Sequence, residues 1–227
     1  MTPPNITHIL KVAAGIALCS TLSGQAAVIL DNTLAGTNPL TINLGSITVT
    51  NYQAKIFTTP VTGDWSLDAM KMALYSQSPV TGRNVFVSLM AVDGSNNPTG
   101  SALVTESFVV DLGTTPAYYD FDLNAPNWSL TSGTTYALLF RSDAPSSSTS
   151  WTQPPTSGTY TMSDGFTYVG TRRSTNAGTS WSVNGYNNGL QLSAIPASIP
   201  EPSRASLLAA GCAILAMTRR KRRVTCC

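Results

Sequence analysis

The chain has 227 residues, 42% of them apolar and only 11% charged, with 17 glycines, 14 prolines, four cysteines and one histidine. That length holds one ordinary domain plus terminal targeting segments, and the apolar share excludes a low-complexity chain. The formal charge of +2 comes from the ends: between Ala27 and Pro202 six basic side chains stand against eleven carboxylates, and an acidic body without a basic stripe argues against nucleic-acid binding.

The first predicted element is a secretory signal peptide over 1–26. Lys11 supplies the positive charge, Val12 to Leu22 ("VAAGIALCSTL") is an apolar run of the usual length, and Gly24-Gln25-Ala26 places small residues where a signal peptidase reads them. The run is too short and too interrupted by Ser and Thr for a membrane anchor, so cleavage is expected after Ala26. His8, the one histidine, lies in this segment, and the cysteines stand at 19, 212, 226 and 227. The body therefore has no thiol for a disulfide framework and no His or Cys for triad or His-metal chemistry.

From Ala27 to Ile195 short strand-like runs alternate with turn clusters, with almost nothing at helical period. "WSLDAMKMALYS" alternates through Met70, Met72 and Leu74 and is predicted as a strand. "NVFVSLMAV" puts Val85, Val87, Leu89 and Ala91 on one face and Phe86, Ser88, Met90 and Val92 on the other, as in a strand buried on one side and partly covered on the second. "ESFVVDL", "YYDFDL", "TYALLF", "GTYTM" and "NGLQLSAI" follow as further strands. Turns are predicted at "VTGDW", "SPVTGRN", "DGSNNPTG", "DLGTTPA" and "LTSGTT", and the Ser/Thr/Pro-rich stretch from Ser142 to Gly158 as a long excursion. This spacing predicts an all-β ectodomain over 27–195, an antiparallel β-sandwich or jelly roll.

Three groups within the body could carry chemistry. Asp120 and Asp122 in "YYDFDL" share a strand face about 6.6 Å apart, a separation compatible with acid and base in glycoside hydrolysis. The plainer reading makes them the solvated side of a strand whose other face is Tyr119, Phe121 and Leu123, and Glu106 cannot be placed beside them from sequence. Asp93 and Asn96, in "DGSNNPTG", have the oxygen side chains of a calcium loop, but the stretch lacks the sixth-position Gly and the closing Glu, and a tight hairpin, the preferred reading, explains its Gly, Asn and Pro at no further cost. Of the four tryptophans, Trp151 and Trp181 are the candidates for stacking on a sugar, Trp151 because it falls in the predicted excursion. No catalytic residue, metal or cofactor is expected.

The tail begins with a linker at 196–204 that contains Pro200-Glu201-Pro202, and its prolines favour an extended chain. Residues 205–218 form a predicted transmembrane helix of about 21 Å, short of a hydrocarbon core of roughly 30 Å. Arg219, Arg220, Lys221, Arg222 and Arg223 follow as a basic stop-transfer cluster in a cytoplasmic segment over 219–227.

Pro-Glu-Pro, a short apolar helix and an arginine cluster, in that order, resemble the PEP-CTERM sorting signal of Gram-negative, exopolysaccharide-producing bacteria. The resemblance covers about the last 28 residues. It implies a transient stay in the inner membrane, recognition there by a membrane exosortase, cleavage near Pro-Glu-Pro, and release to the cell surface or extracellular matrix. Ile199 stands where Val is commoner, and "VTCC" extends beyond the arginines. The body resembles the choice-of-anchor R domain through "DGSNNPTGSAL", "LTSGTTYALLF" and "GTSWSVNG". That resemblance implies a β-sandwich ectodomain and no particular activity. The expected role is a non-enzymatic structural or adhesive component of an exopolysaccharide or biofilm matrix. The alternatives are a carbohydrate-binding module with exposed aromatics and, behind it, a carboxylate-only glycosidase.

Overall fold

The computed structural model describes residues 25–33, 43–123, 128–145, 149–152 and 160–197. The predicted sorting motif, apolar helix and basic cluster, and the signal peptide up to residue 24, lie outside the described residues.

All fourteen elements among the described residues are strands. They are β1 (Ala27–Asp31), β2 (Asn43–Ser46), β3 (Tyr52–Thr58), β4 (Trp65–Ser76), β5 (Val80–Val92), β6 (Pro98–Leu112) and β7 (Ala117–Asp122), followed by β8 (Ser129–Leu130), β9 (Thr135–Ser142), β10 (Thr149–Thr152), β11 (Thr161–Met162), β12 (Thr167–Ser174), β13 (Ser182–Asn184) and β14 (Leu190–Pro196). They form two antiparallel sheets. One runs β11-β1-β14-β4-β10-β2, with β7 and β8 also paired to β4, and the other runs β13-β12-β3-β9-β5-β6.

Alternation explains most of this pattern. Val85, Val87 and Leu89 of β5, Leu138 and Phe140 of β9, and Phe57 of β3 bury fully against Leu67, Met70, Met72 and Leu74 of β4 and Leu190 and Leu192 of β14. One apolar core therefore joins the inward faces of both sheets, and burial of these side chains at about 25 cal/mol per Å² is the main stabilising term. Bulges reset the phase where strict alternation would fail. β4 carries one extra residue opposite Ser193 and Ala194, so Leu67 and Met70, three apart, share the inner face. Between Leu89 and Ala91 the extra residues lie in β6, so Ala91 keeps the phase of β5 opposite Tyr136, as predicted, yet is exposed.

The predicted excursion from Ser142 to Gly158 departs most from expectation. Within it β10 pairs with β4 through Thr149, Ser150 and Trp151 and with β2 on its other side, and all four of its residues are buried. β3 escaped prediction because its inward positions include Gln53 and Lys55, polar side chains that interrupt the apolar alternation yet are fully buried.

A second, smaller apolar cluster lies on the opposite face of the six-stranded sheet. Ala54 and Ile56 of β3 and Ala137 and Leu139 of β9 are buried there under Tyr52, Met90, Val92 and Trp181. The near-continuous apolar runs of β5 and β9 thus serve two faces.

Candidate functional site

A groove of about 640 Å³ opens on this outward face. Its floor is made by Ser88 and Met90 of β5, Leu139 and Arg141 of β9, and Thr105 of β6; Tyr52 and Trp181 stand at one side and the Asp93–Gly100 connection at the other. Ser88 and Thr105 hydrogen-bond through their hydroxyls at 2.8 Å, and the Arg141 guanidinium lies 3.9 Å from the centre of the Phe86 ring. That stacking holds the cation in place while leaving its edge donors available.

Both walls are held by their own hydrogen bonds. At one side, Asn176 Oδ1 accepts from Ser174 Oγ at 2.8 Å and from the Ser180 N–H at 2.9 Å, and the Gly178 N–H donates to Ser174 Oγ at 2.8 Å. Gly178 has φ +85°, a conformation glycine adopts without strain. A Cβ there would sit 3.5 Å from the Tyr52 ring and 3.7 Å from Trp181. Both are ordinary van der Waals distances, so the positive φ, not a lack of room, is what favours glycine at this corner.

At the other side, Asp93 Oδ1 accepts the N–H groups of Ser95 and Asn97, both at 2.8 Å, and its Oδ2 accepts from Asn97 Nδ2 at 3.2 Å. These Asn97 bonds, led by the backbone N–H, hold the Asp93 carboxyl below its ordinary range. Asn96 takes the left-handed conformation at φ 60°, as a tight hairpin requires. Arg172, nearly buried on β12, donates from Nη2 to the Ser95 carbonyl at 2.9 Å and from Nε to Asn97 Oδ1 at 3.2 Å. The hairpin tip is thereby tied to the far side of the same sheet.

The predicted candidates separate accordingly. Trp181 is half-buried at the groove. Trp151 is corrected: it is fully buried, edge-on to Phe140, with Nε1 donating to the Gly189 carbonyl at 3.0 Å, and cannot present a face to a sugar. It is buried because β10 is inserted between β2 and β4. Of the calcium candidates Asp93 and Asn96, Asp93 turns its oxygens to the N–H donors of its own hairpin, and no cluster of three His, Cys, Asp or Glu side chains occurs among the described residues.

Asp120 and Asp122 lie on β7 of the other sheet, with Phe121 and Leu123 buried behind them. Asp120 pairs with Lys71 at 3.4 Å, and Glu106 accepts from Trp128 Nε1 at 3.1 Å. The three carboxylates are thus not assembled in the groove. Tyr52 and Arg141 were missed from sequence. The signal for them was the apolar character of both faces of β5 and β9, which marks an outward face that something else must line.

Comparisons with family models, with curated proteins and with solved structures give no match.

Proposed function

We propose that this chain is an exported matrix protein whose body, a β-sandwich of jelly-roll type, holds extracellular polysaccharide in the groove beside Trp181. The observation that carries this is that Tyr52 and Trp181 line one side of a groove whose remaining lining combines hydroxyl, amide and backbone groups with Met90, Leu139, Asp93 and Arg141. A flat aromatic face covers the apolar C–H side of a pyranose, while short polar side chains meet its hydroxyls. Sparse charge on the body suits a neutral or weakly charged glycan over nucleic acid. The role is adhesive and structural, without catalysis.

The route outward rests on the termini. The 1–26 segment directs export, and Pro200-Glu201-Pro202 with the apolar run and the basic cluster presents the chain to a membrane exosortase before release to the surface or matrix.

Two measurements test this. Passing the purified body over immobilised exopolysaccharide should retard it, and elution with the void volume would overturn the binding role. Intact mass of the protein recovered from its producing cells should correspond to a chain starting near Ala27 and ending near Pro202. A product still ending at Cys227 would overturn the sorting route while leaving the groove untouched.

A further inference from the structure

Lys55 is a nucleophile in an unusual place. It projects inward from β3 and is fully buried. Neither ion pair among the described residues includes it. Its Nζ instead contacts Thr171 Oγ1 at 3.0 Å, the Tyr186 carbonyl at 2.9 Å and Asn188 Oδ1 at 3.1 Å, with the ring centres of Tyr160 and Trp151 at 4.8 and 5.1 Å. Burial holds the ammonium pKa well below its ordinary value, which favours the neutral, nucleophilic amine.

Its electrophilic neighbour is equally enclosed. Asn188 is fully buried; its side-chain Nδ2 donates to the Trp151 carbonyl at 3.3 Å and its Oδ1 accepts from Lys55 Nζ at 3.1 Å, while its backbone carbonyl accepts from the Tyr160 hydroxyl at 2.7 Å. The carboxamide is therefore fixed in orientation against the amine, and the aromatic walls exclude the water that would compete with it.

From this juxtaposition we propose that Lys55 and Asn188 condense to an intramolecular isopeptide bond, the described geometry being that of the two reactants. The Lys55 Nζ lone pair attacks Asn188 Cγ, the Cγ–Nδ2 bond breaks, one proton passes from Nζ to Nδ2, and ammonia leaves. One carboxamide and one amine become one secondary amide plus ammonia, with no oxidant or cofactor. The Thr171 hydroxyl, in contact with Nζ and 2.6 Å from the Tyr168 hydroxyl, is placed to relay the proton. The competing imide closure of Asn188 onto Gly189 is disfavoured because the Gly189 N–H is held by the Thr152 carbonyl at 2.7 Å.

The bond would tie β3 of one sheet to the segment leading into β14 of the other, across 133 positions of sequence. A cross-link closing so long a loop strongly restricts the unfolded chain. It also supplies a covalent staple to a body in which cysteine is absent between Ala27 and Pro202.

The test is the intact mass of the folded full chain beside its Lys55→Met variant, followed by peptide mapping. Expected are a wild-type mass lower by one ammonia, a branched peptide joining the segments that contain Lys55 and Asn188, and neither in the variant. A wild-type mass equal to that of the unlinked chain would overturn the proposal. So would ammonia loss with only linear peptides, the mark of an imide at Asn188, or loss that persists without Lys55. Should Lys55→Met fail to fold, the branched or linear peptides of the wild type decide alone.

Discussion

Trp151 meets Phe140 edge to face between the two sheets, ring centres 4.5 Å apart and planes at 61°. β10 and β9 belong to different sheets, so this one ring contact joins them, and Trp151 is also bonded through its indole N–H to the Gly189 carbonyl. Trp151→Ala removes both and leaves a cavity. It should cost about 3–5 kcal/mol of stability. Chemical denaturation of the purified body checks this, and a loss under about 1 kcal/mol would mean that the site collapses around the missing ring.

Trp181→Ala should behave in the opposite way. Half-buried on the outward cluster, it contributes less to folding than Trp151. Removal of a single aromatic anchor should weaken retention on polysaccharide by roughly tenfold, the equivalent of about 1.4 kcal/mol. Equal retention of variant and wild type on the immobilised glycan would exclude Trp181 from the contact.

Asp143 accepts from Arg83 Nη1 at 2.9 Å and Asn84 Nδ2 at 2.8 Å. Partial burial pushes its carboxyl upward, but the bonds from Asn84 and Arg83 outweigh this and hold it below the ordinary value. Because the folded-state pKa is depressed, the contribution is complete above the unfolded value of about 3.9 and is lost as pH falls through it toward the folded one. The site is partly solvated, so at neutral pH the effect of Asp143→Asn stays within about 1 kcal/mol. Stability measured from pH 6 down to pH 2, as order-of-magnitude bounds on that window, should show a shallower acid limb in the variant.

The Asp93 hairpin should be indifferent to calcium. Chelator is expected to leave the thermal midpoint unchanged, because Asp93 satisfies the Ser95 and Asn97 N–H groups itself. Asp93→Ala removes the acceptor of those donors and should lower the thermal midpoint, with or without chelator. A clear fall in midpoint with chelator alone would restore a cation to this loop.

The all-β class was legible because its signals are local. Alternation along β4, β5, β7, β9 and β14, and turn residues such as those at Asp93 to Asn97 and Thr131 to Thr134, depend on neighbours only a few positions away. β3 was hidden because Lys55 and Gln53 occupy inward positions that sequence patterning assigns to apolar side chains. Lys55 is tolerated there only because Thr171, Tyr186 and Asn188, 116 to 133 positions away, supply its partners.

The sequence by itself therefore determined an antiparallel all-β body, most of its strands, and the absence of cysteine and histidine chemistry within it. The tertiary structure decided which aromatic is core and which lines a groove. Trp151 and Trp181 both sit among Ser and Thr, and no local pattern separates them. Insertion of β10 beside β4 buries the first, and the second stands with Tyr52 on the outward face of the other sheet, so the difference lies in which distant strands become neighbours.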